Sequence, residues 1–250
     1  MASKQQIVTN KSRVRGDNPK LADDIKLARD IFESFNTWKY KREHPNKEKM
    51  LEVILRAVRA RASIHFLMYW GKGDRSVAGT REEAALSYLL QMLQPIKIRY
   101  VNGVKVTLIL TDTHAELNGN TRSQMEEYFT SVIDLAAPAG IETVYLSKLA
   151  PFDEEQLSKQ IAGVRIDEDL FEVLLRSAGR HCKRYDPGLG ARLYYLQNKI
   201  EKHIIEEQFA NKIFITYNGS ELDDLLPSKL PMFYMYSMGK GTSVKPWFAD

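Results

Sequence analysis

The chain has 250 residues, with 36 Lys and Arg against 32 Asp and Glu and a formal net charge of +4. An apolar share of 44% beside 27% charged residues belongs to a globular protein with a sizeable core, and no apolar run approaches the roughly 20 residues that cross a bilayer. One cysteine, Cys182, leaves no internal disulfide and no Cys-rich metal or iron–sulfur site.

Residues 1–18 are polar and basic, without the apolar h-region of a secretory signal, so a flexible leader and a cytoplasmic location are expected. Residues 19–250 are expected to form a single domain. Leu21, Ile25, Ala28, Ile31 and Phe32, then Met50, Val53, Ile54, Ala57 and Val58, recur at helical spacing on either side of "REHPNK". "SIHFLMYW" (63–70) reads as a strand ending in "GKGDRSVAG". Thr80 and Glu83 read as a capping box that opens a helix burying Ala84, Ala85, Tyr88, Leu89 and Met92, and Pro95 is expected to close it. "VNGVKVTLILT" holds a turn at Asn102-Gly103 and a buried strand. A second capping box, Thr121 with Gln124, starts a helix that Gly140 ends, and "IETVYL" (141–146) is a further strand. Two or three helices follow between Asp153 and Gln208, then the strands "KIFITYN" and "PMFYMYS".

Alternating strands and helices predict an α/β, Rossmann-like fold: a mostly parallel sheet flanked by helices, with N-terminal helices and a late helical insertion. Ligands of such sheets bind beyond the carboxyl ends of the strands, where two polar loops lie, 71–79 and 111–120. In the first, Gly71 and Gly73 let the backbone approach a ligand, and Lys72 and Arg75, with Asp74 between them, precede a helix start that favours anions. Its spacing is neither that of a P-loop nor G-x-G-x-x-G. In the second, "TDTHAELNGN", Asp112 is placed to orient His114, Glu116 is a candidate acid or base, and Asn118 a candidate substrate contact. The remaining histidines are too scattered to complete a metal site, so none is expected. The competing structural reading is that Asp112 and Asn118 only satisfy loop backbone.

Elsewhere the bland readings prevail. The helix "ARLYYLQNKIEKHIIEEQF" carries Lys199, Glu201, Lys202, His203 and Glu206 at the spacing of a solvated, ion-paired face. His65 reads as a core histidine, and Cys182 lacks the context of a nucleophile. The clusters "KSRVR", "KYKREHPNKEK" and "RHCKRYDP" fit solvated faces better than nucleic acid, and equally an anionic small molecule. The end "MGKGTSVKPWFAD", with Lys240, Lys245 and Trp247, is expected to form a lid or pocket wall, since a terminal Trp and Phe pack on something.

Several segments in this order resemble one family, the isonitrile (isocyanide) synthases of the pyoverdine/dityrosine biosynthesis group. They are "FLMYWGKGDR", "EEAALSYLLQML", "RYVNGVKVTLILTD", "IIEEQFANKIFITYN" and "KPWF", spread over most of residues 60–248. The resemblance implies a Rossmann-like enzyme of natural product biosynthesis. It would bind a free aromatic amino acid and convert its α-amino group to an isonitrile, with ribulose 5-phosphate as carbon donor and no cofactor. Lys72 matches the family's loop lysine, Asp112 the strand-end aspartate, and Pro246 with Trp247 the Pro-Trp pair. The chain departs from the pattern at Asn218 and Phe248, where the family has His, and at His114, where it has Arg. In the implied chemistry Lys72 and Arg75 clamp the anion, His114 and Glu116 share base and acid work, and Asp112 holds the substrate ammonium. Asp74, Asn118, Lys240, Lys245 and Trp247 complete the expected binding surface for the two small molecules.

Two other readings compete. Cyclodipeptide synthases are similar in size and share a strand ending in Asp-Thr-His, matched by "TDTHAE"; they take aminoacyl-tRNA, the one route by which nucleic acid would be a partner. Against them, "MYWGKGDR" lacks a well-placed nucleophilic serine. The other reading is a binding protein that keeps the fold without catalysis.

Overall fold

The computed structural model describes residues 19–248; the expected leader lies outside them. Helices α1 (Pro19–Phe35) and α2 (Lys47–Ala60) precede strand β1 (Ile64–Trp70), helix α3 (Thr80–Arg99) and strand β2 (Val104–Leu110). A short helix α4 (Asp112–Leu117), helix α5 (Arg122–Ala136) and strand β3 (Glu142–Tyr145) follow. Helices α6 (Glu154–Gln160), α7 (Glu168–His181) and α8 (Pro187–Gln208) lead to strands β4 (Ile213–Thr216) and β5 (Met232–Tyr234).

The five strands form one sheet in the order β3-β2-β1-β4-β5, and every neighbouring pair is parallel. β4 and β5 are buried at every position and β2 at its last five, the continuous apolar run of strands covered on both faces. Side chains alternate between two cores. Phe66, Met68, Trp70, Leu108 and Leu110 join Ile31, Phe35, Met50, Leu89, Met92, Tyr128 and Phe129, which α1, α2, α3 and α5 supply. Leu67, Ile109, Phe214, Met232 and Tyr234 face the other way and meet Ile205 of α8. The exposed edge of β5 is shortened by an antiparallel bridge to Lys41.

The connections through α3 and α5 run on one face and lay β2 and β3 successively to one side of β1. The connection through α8 covers the other face and lays β4 on the opposite side. The direction in which strands are added to the sheet therefore reverses between β1 and β4, and a crevice opens at their carboxyl ends.

Local signals hold with three corrections. Thr121 caps α5, accepting from the N–H of Gln124, whose side chain accepts in return from the N–H of Thr121. At α3 the cap lies one residue earlier than Thr80: Gly79 is the N-cap and its N–H donates to Glu82 at 2.9 Å, so Glu82 is inward, while Ala84 is exposed. Pro95 does not end α3, which continues to Arg99 because Met92, Leu93 and Ile96 remain in the core on both sides of it. The 111–120 segment is not a plain loop but begins as α4, which Gly119 leaves at a φ of +89°.

Candidate functional site

A cavity of about 360 Å³ occupies the crevice. Its floor is the carboxyl ends of β1, β2 and β4, through Tyr69, Thr111 and Thr216. One wall is α4 with α8, through His114, Asn118 and Tyr194. Another is α7, through Arg176 and Arg180, and a third is the C-terminal segment, through Lys245, Trp247 and Phe248.

His114 is held on the first turn of α4 as the chain leaves β2. Its Nε2 lies 2.5 Å from Glu201 and its Nδ1 3.1 Å from the Tyr194 hydroxyl. Glu201 is 0% exposed and takes two further hydrogen bonds, from Thr113 at 2.8 Å and Gln197 at 2.7 Å. A carboxylate only accepts, so a neutral His114 donates from Nε2 and leaves Nδ1 to accept from Tyr194. Burial, and then the Glu201 charge, push the Tyr194 hydroxyl's pKa upward, so this phenol keeps its proton at neutral pH. The result is a continuous path from Glu201 through His114 to Tyr194, whose side chain borders the cavity. Tyr69 stands beside it, its ring 6.2 Å from that of His114, and its buried hydroxyl has no hydrogen-bond partner among the described residues.

The charge of the lining is one-sided. Lys72, Arg176, Arg180 and Lys245 border the cavity, and no Asp or Glu is among the described residues that do. The two lysines differ. The ammonium of Lys72 donates to the carbonyls of Gly73 at 3.1 Å and Arg75 at 2.8 Å and sits over the Tyr128 ring, so it organises its own loop. Burial lowers its pKa. The ammonium of Lys245 has no hydrogen bond or ion pair among the described residues and lies 6.0 Å from the centre of the Phe248 ring. Burial brings its pKa down to about 8, and the Arg42 guanidinium adds to the shift against a smaller opposing pull from Glu221.

The C-terminal segment is a fixed wall. Trp247 packs on Trp70 at 5.5 Å and Tyr217 at 6.0 Å, and Phe248 stacks flat on His181 at 4.3 Å. Arg81 donates to the Phe248 carbonyl at 3.0 Å. This explains the glycines of the first loop. A Cβ on Gly71 would meet the Trp247 indole at 2.6 Å, and one on Gly73 would run into the Trp247 carbonyl oxygen. They admit the wall rather than a ligand.

Of the sequence-derived candidates, Lys72, His114, Asn118, Lys245 and Trp247 converge on the cavity. So do Asn218 and Phe248, two of the three positions that depart from the pattern of the family the sequence resembles. Asp112 does not orient His114. Its carboxylate accepts from the backbone N–H of Ser147 at 2.9 Å and from the Ser147 hydroxyl, tying α4 to the end of β3. Glu116 is exposed, 3.9 Å from Arg184, and lies outside the cavity because it is on the outer face of α4. Arg75 turns back to Glu82 at 3.7 Å. Asp74 pairs with Lys183 at 2.7 Å and borders a smaller hollow of about 80 Å³ that Lys72 and Asn118 share. Lys240 is exposed and lies outside the cavity.

Sequence reasoning missed Glu201, Tyr194 and the arginines of α7. A signal was present: Leu193, Gln197, Glu201 and Ile205 stand four apart, so Gln197 and Glu201 continue an apolar stripe of α8. Among the described residues no group of three or more His, Cys, Asp and Glu side chains is arranged to hold a metal ion, and no helix is long and apolar enough to cross a membrane.

No family model matches the chain, and neither does any curated protein. Among solved structures, the PvcA protein from Pseudomonas aeruginosa superposes with a TM-score of 0.63 at 17% identity, over 90% of this chain and 87% of that one. A tyrosyl-tRNA synthetase complexed with L-tyrosine from Archaeoglobus fulgidus reaches a TM-score of 0.45 at 14% identity, over 86% of this chain and 63% of its own. A tryptophanyl-tRNA synthetase from Aeropyrum pernix reaches 0.44 at 14%, over 75% and 52%. The synthetases share too little of the shape to bear on function. The chain has the Rossmann-like α/β fold of PvcA, over nearly the whole length of both.

Proposed function

We propose that the protein is an isonitrile-synthase-like enzyme that joins the amino group of a free amino acid to the carbonyl of a pentose phosphate in the crevice between β1 and β4. The sequence resembles that family, and the fold is that of PvcA. The observation that carries the reading is the Glu201–His114–Tyr194 path opening into a cavity whose charged lining residues, among those described, are lysines and arginines.

Each feature suits the reaction. Arg176 and Arg180, on one face of α7 four residues apart, and the free ammonium of Lys245 attract the phosphate and the amino-acid carboxylate. The same positive field, with no carboxylate to hold an ammonium, favours the neutral, nucleophilic form of the incoming amine. Condensation then needs a proton for the departing water. Tyr194 takes that proton from the reacting amine as it passes its own to Nδ1 of His114, Glu201 stabilises the imidazolium so formed, and the proton returns along the same path to the departing oxygen. Asp112 and Glu116 have no part in this path. Trp247, Tyr69 and Tyr217 present aromatic surface for the amino-acid side chain.

The test is incubation with each common amino acid and a set of pentose phosphates, read by mass spectrometry. The expected product is one amino acid that gains a carbon and loses two hydrogens. If no amino acid changes mass with any donor, the reading is wrong.

A further inference from the structure

We propose that Lys245 is a covalent nucleophile, which captures the carbonyl carbon of the phosphorylated ketose as a Schiff base before the amino acid reacts. This deepens the function proposed above and rests on it for the identity of the ketose. The two lysines of the cavity divide cleanly. Lys72 spends its donors on the carbonyls of Gly73 and Arg75. Lys245 borders the same cavity with no hydrogen bond or ion pair among the described residues. A lysine whose only purpose was to hold its segment in place would be tied to that segment, and this one is not.

Its backbone is nonetheless fixed. The Phe248 N–H donates to the Lys245 carbonyl at 3.1 Å, and the Ser237 hydroxyl donates to the carbonyl of the preceding Val244 at 2.6 Å. Two residues on, Trp247 is wedged against Gly71, Trp70 and Tyr217. The side chain thus projects from a rigid anchor into the crevice, as a nucleophile must if its nitrogen is to meet one carbon repeatedly. A desolvated amine near a guanidinium sheds its proton readily, and a pKa of about 8 leaves a usable fraction of free amine at neutral pH.

The step balances without a redox partner. The Lys245 nitrogen forms a bond to the ketose carbonyl carbon and loses its two protons. The carbonyl oxygen gains two protons, one through Tyr194, and leaves as water. The amine of the amino acid then adds to the imine carbon, the Lys245–carbon bond breaks, and the lysine departs as a free amine. Once its nitrogen is protonated the imine carbon is more electrophilic than the ketone it replaces, and that proton leaves with the departing lysine, which gives the detour its advantage.

The experiment is borohydride trapping of the whole chain with ribulose 5-phosphate and no amino acid, followed by intact-mass measurement and peptide mapping. The expected result is one reduced pentose-phosphate adduct, mapped to Lys245 and lost in Lys245→Arg, with the fold of that variant verified by circular dichroism. No adduct in the wild type, or adducts spread over Lys72 and surface lysines, overturns the proposal, whatever the behaviour of the variant. Amino-acid turnover separates the two readings. Turnover without trapping removes the covalent step and leaves the function standing, while trapping at Lys245 with no amino-acid product keeps the step and removes the function.

Discussion

At the scale of the residue, two glutamates invert the roles their sequence context assigns. Glu116, two positions after Asp-Thr-His and just before Asn-Gly, has the neighbours of a catalytic acid and lies in solvent. Glu201, among Lys199, Lys202 and His203, has the neighbours of a surface charge and is fully buried against His114. Replacing Glu201 by Gln keeps the volume and removes the charge that steadies the imidazole. Loss of a positioned acid–base partner costs about a hundredfold or more in turnover. Glu201→Gln is therefore expected to lower kcat by about that factor while retaining the far-ultraviolet spectrum, and Glu116→Gln to remain close to the wild type. Equal losses in both would remove the His114 path from the mechanism.

Lys245 makes a separate prediction, on stability. Its pKa is lower in the fold than in the free chain, so the unfolded state holds the proton more tightly. The charged side chain destabilises the fold fully below about pH 8, and the penalty fades as the pH rises from there to the ordinary lysine value. Lys245→Met is accordingly expected to raise the thermal midpoint by a few degrees at pH 7, with the gain shrinking in alkaline buffer. A gain independent of pH would point to packing instead of charge.

At the scale of the element, strands and helix starts were legible and depth was not. "FLMYW", "VTLIL" and "FIT" are apolar runs bounded by turn residues, which only a strand covered on both faces requires. Thr121 with Gln124 marked α5 because the capping box is a local arrangement. Pro95 misled because a missing N–H near the end of α3 costs less than moving Met92, Leu93 and Ile96 out of the core would. The burial of Glu201 was hidden because it depends on α8 lying across the ends of distant strands. The first loop shows the same dependence: Gly71 and Gly73 look like ligand glycines, yet they serve Trp247, far along the chain. Gly73→Ala would press a methyl onto the Trp247 backbone, which cannot rotate away. Such overpacking typically costs about 1–3 kcal/mol. The expected outcome is a lowered unfolding midpoint, a shift in tryptophan emission as Trp247 leaves Trp70, and weakened turnover. Gly163→Ala, where nothing lies within 4 Å of an added Cβ, is the control and should change none of these.

At the scale of the whole molecule, a formal charge of +4 is modest for 250 residues, and its placement matters more than its size. The reversal of strand order at β1 and β4 brings chain-distant cations to one mouth: Lys72 after β1, Arg176 and Arg180 on α7, and Lys245 near the end. In the sequence the three segments that carry them stand far apart, with only Arg180 within a basic cluster, because only the crossover through α8 gathers them. A dianionic phosphate drawn into such a mouth responds to salt, since a Debye length of about 8 Å at physiological ionic strength screens charges at the rim more than those inside. Arg176 and Arg180 are exposed and supply no atom of the Glu201–His114–Tyr194 path, so their part is capture. Replacing both by Gln is expected to raise KM for the phosphorylated donor about tenfold, the equivalent of about 1.4 kcal/mol, while leaving kcat nearly unchanged. It should also flatten the rise of that KM with added salt. An unaltered KM with an intact salt response would mean that the phosphate sits elsewhere in the crevice, closer to Lys72 and the smaller hollow beside Asn118. A loss of kcat instead would mean that α7 shapes the reacting geometry as well as drawing the donor in.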